Sequence, residues 1–340
     1  MESTTKQIQL ALMGVGRWGT HLLRNFLAHP QIQVRAVVDP FTQHLTATAE
    51  KFGLDDSVAL LENWEDALDI EGLEAVAIAT PATTHKAIVT AALKRQLHVL
   101  CEKPLTLTAQ TSAALCQLAQ QQNRQLFIDH TYLFHPAVTE AKANLGRLGT
   151  PRYGYAARTN LGPVRHDVDA LWDLAIHDIA IFNHWLSDSP IRVQAQGLNW
   201  LQRPGQAKPM ADVVWCRLHY GSGFEATIHV CWTNPHKQRQ LSLVCDRGSL
   251  IFDEMQSDSP LTLKLGHAAP DTFQPQGLDT ISLKVPNQEP LATMCNHFVH
   301  SVLTNQPATI SAGTVGTNLV AILEALSQSL THQGKWIELN

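Results

Sequence analysis

The chain has 340 residues, 25 Lys and Arg against 30 Asp and Glu, and a formal net charge of -5, a length that suits two domains, each able to bury a core. With 44% hydrophobic and 16% charged residues it is too apolar for disorder, and its weak acidic balance lacks the basic face that a nucleic-acid partner needs. The polar first residues carry no signal peptide, no apolar run reaches the length of a membrane span, and six scattered cysteines without a C-x-x-C pair point to a reduced, cytoplasmic setting.

From the N-terminus two periodicities alternate. Residues 8 to 13 form a short apolar run that stops at Gly14, and Trp18, Leu22, Leu23, Phe26 and Leu27 then recur at helical spacing. Residues 32 to 38 are rich in β-branched side chains and stop at Asp39-Pro40. Helical patterns follow at 43 to 52 and 63 to 68. A buried strand at 75 to 79 is closed by Thr80-Pro81, and a helix covers 84 to 95. A strand at 97 to 101 is closed by Glu102-Lys103-Pro104, with a helix over 108 to 122 and a strand over 125 to 128. Strands alternating with helices of about a dozen residues predict βαβ units and a doubly wound parallel sheet, placed as a dinucleotide-binding domain at residues 1–128.

After Asp129 the rhythm changes. A helix is expected at 137 to 144, a strand at 152 to 158 and a helix at 171 to 186. Alternating stretches follow at 191 to 198, 212 to 220, 224 to 232, 240 to 244 and 249 to 252, two of them joined as a hairpin through Gly221-Ser222-Gly223. Residues 254 to 290 read as loop with one edge strand at 261 to 265, and helices at 292 to 303 and 313 to 332 close the chain. Residues 129–340 thus read as an α+β domain with a large, mostly antiparallel open sheet.

Gly14-Val15-Gly16-Arg17-Trp18-Gly19 has G-x-G-x-x-G spacing. The first glycine permits a tight turn, the second lets the backbone approach a pyrophosphate and the third allows close helix-strand packing. The helix behind it offers the positive end of its dipole. Alone, the motif reads as an ordinary glycine turn. Here it follows a strand and opens a helix, and Asp39 ends the next strand twenty residues after Gly19, the context that a dinucleotide site requires. A carboxylate at Asp39 accepts from adenosine ribose hydroxyls and repels a 2′-phosphate, with Pro40 and Phe41 rather than Arg or Ser beside it, so NAD is favoured over NADP.

Four motifs, in order, carry a resemblance. They are the glycine loop, Ala79-Thr80-Pro81-Ala82-Thr83-Thr84-His85, Cys101-Glu102-Lys103-Pro104, and Trp172-Asp173-Leu174-Ala175-Ile176-His177-Asp178. With them the chain resembles the glucose–fructose oxidoreductase/inositol dehydrogenase (Gfo/Idh/MocA) family over essentially its whole length. Arg158-Thr159-Asn160-Leu161-Gly162 and Trp232-x-x-Pro235-x-Lys237-x-Arg239 make it most similar to the sugar and sugar-nucleotide dehydrogenases. The resemblance implies a Rossmann domain, a substrate domain, hydride transfer with NAD, catalytic roles for Lys103, Asp173 and His177, and a cis bond before Pro104.

The residues support the same chemistry. Oxidising a secondary hydroxyl needs a base and a donor for the alkoxide-like oxygen. His177 suits the base, because imidazole titrates near working pH. Asp173, four residues earlier, shares a helix face with it, and Asp178 caps or orients. Lys103 ends a strand at the carboxyl edge of the sheet, where ligands of open α/β folds bind. Cofactor contacts are expected from Gly14, Gly16, Arg17, Trp18, Gly19, Asp39, Thr80, Pro81, His85, Glu102 and Lys103. Substrate contacts are expected from Tyr132, Arg158, Asn160, Arg165 and Asp173, with His135 nearby. The arginines suit a carboxylate or diphosphate, whereas Lys237 and Arg239 read as surface charges or as groups that approach a partner subunit's cleft.

The stretch His166, Asp167, Asp169, Asp173, His177, Asp178 offers a rival reading as a metal cluster. No H-E-x-x-H or cysteine set completes it, and no metal is expected. A cyclitol, dihydrodiol or tetrapyrrole substrate would suit the same enzyme class. A non-catalytic dinucleotide-binding regulator is a rival from another class, and it needs no Lys103, Asp173 and His177 together. An open sheet face exposes an apolar patch, so a homodimer or homotetramer is expected, with no membrane and no nucleic-acid partner.

Overall fold

The computed structural model describes residues 6–201 and 210–339, in two compact units. The first comprises Met1–Thr131 with Glu289–Val320. It opens with β1 (Ile8–Met13), α1 (Arg17–Ala28), β2 (Ile32–Val38), α2 (Thr42–Phe52), β3 (Ala59–Leu61) and α3 (Trp64–Ala67). Next come β4 (Ala75–Ile78), α4 (Ala82–Lys94), β5 (His98–Glu102), α5 (Ala109–Gln121) and β6 (Leu126–Asp129). The strands pair in parallel in the order β3-β2-β1-β4-β5-β6. Every residue of β4 and β6 is buried, because helices cover both faces of a parallel sheet and its strands read as unbroken apolar runs. The order reverses between β1 and β4, and a crevice opens at the carboxyl ends of the strands flanking such a reversal.

The second unit comprises Tyr132–Gln288 and Ala321–Asn340. It contains α6 (Pro136–Asn144), β7 (Pro151–Leu161), α7 (Ile176–Leu186), β8 (Pro190–Leu198), β9 (Val213–Tyr220), β10 (Glu225–Cys231) and β11 (Thr233–Cys245). β12 (Gly248–Asp253), β13 (Leu261–Ala268) and β14 (Pro275–Ser282) complete its run of strands. The chain ends with α8 (Pro290–Thr304), α9 (Gly313–Thr331) and β15 (Ile337–Glu338). Nine strands form one sheet in the order β14-β13-β12-β11-β7-β10-β9-β8-β15, antiparallel except for the β7–β10 pair. One face is the core: Gly154, Ala156, Ala226, Ile228, Cys216 and Leu218 are buried. A Cβ at Gly154 would lie 2.6 Å from the Phe182 ring of α7, so glycine lets that helix settle on the sheet.

The compact units differ from a single cut after residue 128. Residues 289 to 320 return to the first unit, where Phe298 of α8 meets Phe26 and Phe127 edge-on at 6.3 and 5.8 Å. The expected loop at 254 to 290 holds a second strand, β14, and the short β3 was not expected. All but one residue of β14 is exposed, so it shows no apolar alternation, and β3 is three residues long.

Candidate active site

In the first unit the glycine loop is shaped by contact. Gly14 adopts φ +91°, and a Cβ there would lie 2.8 Å from the Ala79 carbonyl oxygen. A Cβ on Gly19 would sit 1.9 Å from the Gly14 oxygen, whereas one on Gly16 meets nothing within 4 Å. The loop is therefore closed toward the protein at its outer glycines and open at the middle one, as close approach by a pyrophosphate requires. Gly16 caps α1 with no side-chain hydrogen bond, Arg17 and Trp18 are exposed, and the residues fit a dinucleotide.

Asp39 is buried but fully engaged. Its Oδ2 accepts the Val15 N–H at 3.1 Å, and its Oδ1 accepts the Phe41 N–H at 3.1 Å and contacts His44 Nδ1 at 2.9 Å. The carboxylate thus ties the glycine loop to the end of β2. His44, in the first turn of α2, is a neighbour the sequence did not single out, since only its fold across Phe41 brings it back. Thr80 and Thr84 share a hydrogen bond at 2.7 Å beside exposed Pro81. His85 is 1% exposed and spans the Thr80 and Pro104 carbonyl oxygens at 2.9 and 3.0 Å. It braces two loops with its ring nitrogens.

Lys103 follows the last residue of β5, is half-buried, and its bond to Pro104 is cis. Glu102 is buried and its Oε2 accepts the Lys103 N–H at 3.1 Å. Beside it, at the end of β6, stand buried Asp129 and His130, also unanticipated. The signal was available: Asp129 closes β6 much as Asp39 directly follows β2.

In the second unit Asp173 lies in a π-helical turn, Leu171–Ala175, that leads into α7, where His177 occupies the first turn. The expected single helix at 171 to 186 is therefore two kinds of turn. Single-turn π segments widen the helix and occur often at functional sites. Arg165 forks onto Asp167 at 2.8 and 2.6 Å and reaches Asp173 Oδ1 at 3.4 Å. These two carboxylates of the supposed metal cluster thus face a guanidinium.

Tyr132 lies between a cation and an imidazole. The Arg158 guanidinium is 4.3 Å from its ring centroid, the His177 ring is 4.8 Å away, and its hydroxyl donates to Glu254 at 3.0 Å. Burial pushes the Tyr132 phenol up, so it acts as a donor. Arg158 is 1% exposed, and its Nε and Nη2 donate to Asp178 Oδ1 at 3.0 and 2.7 Å. Burial opposes the guanidinium charge, and Asp178 more than offsets that, holding Arg158 above its ordinary range. Arg158 is thus committed to a buried ion pair, against the expectation of a substrate anion contact. Asn160 donates to the Gly162 oxygen at 2.8 Å and accepts from Arg239 at 2.8 Å, and Arg239 also donates to the Thr159 oxygen. Arg239 is half-buried structure rather than loose surface charge. His135 caps α6, accepting the Ala137 N–H at 3.1 Å. Asp178 and Arg239 stand in the sequence motifs, whereas Glu254 meets Tyr132 through long-range pairing that no local motif announces.

Residues 8–130 match the sequence profile of an oxidoreductase family with an NAD-binding Rossmann fold, GFO/IDH/MocA, and residues 138–251 match the C-terminal domain of the same family. The chain belongs to the GFO/IDH/MocA family. Its N-terminal unit is accordingly an NAD-binding Rossmann fold. Among curated relatives, UDP-N-acetylglucosamine 3-dehydrogenase of Acidithiobacillus ferrooxidans is 36% identical over 134 residues, 39% of this chain and 42% of that protein. The aligned stretch is thus less than half of that relative. The scyllo-inositol 2-dehydrogenase (NAD(+)) of Bacillus subtilis is 25% identical over 68% of this chain and 69% of its own length. An inositol dehydrogenase homologue from Azotobacter vinelandii, crystallised with NADH and myo-inositol, shares the fold with a TM-score of 0.82. It is 18% identical, covering 99% of this chain and 98% of that one. The GFO/IDH/MocA assignment matches the family inferred from the four motifs. Among the described residues, no helix is long and apolar enough to cross a membrane, and the six cysteines are unpaired.

Proposed function

We propose that the protein is an NAD-dependent dehydrogenase that moves a hydride between nicotinamide and a secondary hydroxyl or keto carbon of a sugar or sugar nucleotide. The observation that carries this reading is the presence, on one chain, of a dinucleotide cradle and an Asp173–His177 pair at a π-to-α junction. A regulator that only binds a dinucleotide has no need of the second feature. Bound NAD supplies the hydride acceptor. His177 takes the hydroxyl proton on an imidazole nitrogen. The Lys103 ammonium donates a hydrogen bond to the reacting oxygen, whose negative charge grows as the proton leaves. Asp173 orients the substrate hydroxyl, and Arg165, held by Asp167, steadies Asp173.

The match to UDP-N-acetylglucosamine 3-dehydrogenase favours a nucleotide sugar. The longer match to scyllo-inositol 2-dehydrogenase supports a cyclitol as the second reading. Purified protein with NAD is assayed for NADH formation on UDP-N-acetylglucosamine, free sugars and inositols. Turnover highest on the nucleotide sugar is expected; turnover only on inositols installs the second reading, and no turnover on any hydroxyl substrate removes both.

The reading extends to assembly. β-Sheet register places Tyr153, Tyr155, Thr227, Trp215 and Arg217 on one face, where Tyr153, Tyr155 and Trp215 are 51%, 47% and 41% exposed. Trp215 stacks on His229 at 5.2 Å, giving a flat aromatic surface suited to a second copy of this chain in a homodimer or homotetramer. Light scattering at micromolar concentration should give a multiple of the 37.5 kDa chain mass; a monomer would contradict it.

A further inference from the structure

Strands β5 and β6 are parallel neighbours, and their last residues, Glu102 and Asp129, pair directly in register. Strands in a sheet lie about 4.8 Å apart, and side chains at paired positions leave it on the same side, so the two side chains are immediate neighbours there. Both residues are buried. Asp129 Oδ1 accepts the Thr131 N–H at 3.0 Å and also the Thr131 hydroxyl. Asp129 Oδ2 receives no N–H or hydroxyl donor in the structure. Glu102 Oε2 already accepts the Lys103 N–H. Two ionised carboxylates have no hydrogen to offer each other, and like charges in a buried site repel.

We propose that Glu102 and Asp129 share one proton, carried by Glu102 and donated to Asp129 Oδ2, so that the pair holds a single negative charge facing Lys103. Both are then positioning residues that hold the lysine ammonium, and this part rests on the role given to Lys103 above. Burial raises both carboxyls above their ordinary range, and the Asp129 charge raises Glu102 further. The Thr131 donors oppose that rise only at Asp129, which leaves the proton on Glu102. The other titratable groups facing the pair are uncharged. Burial, then Lys103, pushes His130 down to about 3. Cys101 is raised by burial and then by Glu102 and Asp129, and Cys295 by burial and then by Asp129 and Glu289. Lys103 is the cation of this group.

The test is infrared spectroscopy of the full chain at pH 8 without nucleotide, with Glu102→Gln, Asp129→Asn and the double variant. The wild type should show the carbonyl band of a protonated, hydrogen-bonded carboxyl that shifts in heavy water. Each single substitution should abolish it, because the new amide supplies the donor and the remaining carboxyl ionises. Absence of the band in the wild type, or its survival in both single variants, overturns the proposal. In turnover, each single variant keeps one negative charge beside Lys103 and the double variant keeps none. The double variant should therefore lose at least about tenfold more in kcat/KM than the product of the single losses; simple multiplication would remove the positioning role. The substitutions are isosteric, and thermal melts separate folding from function. If Lys103→Ala is fully active while the band behaves as stated, the role of Lys103 fails and the shared proton stands. A missing band with an inactive Lys103→Ala is the reverse.

Discussion

The candidate site of the Rossmann unit is shaped mainly by backbone, and that of the second unit by side chains. At the ends of β1 and β4 the deciding atoms are the Gly14 and Ala79 carbonyls and the open flank of Gly16. Around His177 they belong to Tyr132, Arg158, Asp178 and Glu254, drawn from segments more than a hundred residues apart. A backbone site is specified by short local signals, since glycine alone tolerates the turn and the close approach. A side-chain site depends on which strands pair, here β7 with β10 and β11, and its members can be replaced only together.

The sharpest way to break this comparison is to remove one member of the side-chain network. Arg158→Ala leaves Asp178 buried without its cation, and should destabilise the protein by about 3–5 kcal/mol, read as an earlier urea midpoint. If Arg158 were instead a substrate anchor, KM would rise and stability would hold. A smaller effect separates two glycines of the backbone site. Gly19→Ala puts a methyl against the Gly14 oxygen and should cost about 1–3 kcal/mol of stability. Gly16→Ala, with space around it, should leave the melt in place and weaken NAD binding measured by titration calorimetry. Equal losses of stability at both positions would contradict the cradle.

The same contrast explains what could be read from the sequence. The parallel sheet and the glycine loop were legible because periodicity and turn residues act over a dozen positions. β14 was not, since its exposed side chains carry no alternation, and α8, expected as a helix at 292 to 303, was not assigned to the first unit, because its partner Phe26 lies far away along the chain. Lys103, Asp173 and His177 stood out by motif. The π turn holding Asp173 did not, as the apolar pattern runs through it unbroken. Arg158 was misread because sequence shows a charge and not its burial.

A pH effect spans both units. Burial pushes His98 and His184 down to about 4 and His130 down to about 3, from an ordinary 6.5. Above pH 6.5 these imidazoles are neutral whether the chain is folded or not. As pH falls below that value the unfolded chain binds protons that the fold refuses, so stability declines toward pH 3 to 4. Urea midpoints from pH 7 to 4 should fall. His98→Gln keeps an acceptor for the Gln125 N–H and should fall less steeply; a slope equal to that of the wild type would exclude His98 as a contributor.

The central claim is that this chain's own Lys103 and His177 perform proton and oxygen chemistry beside bound NAD. It is tested most directly by kcat/KM for the wild type, Lys103→Ala and His177→Ala on one hydroxyl substrate, with NAD affinity measured on the same samples. Losses of at least about a hundredfold in both variants, with the His177→Ala variant binding NAD as the wild type does, are the predicted result. Full turnover in either variant would contradict the account.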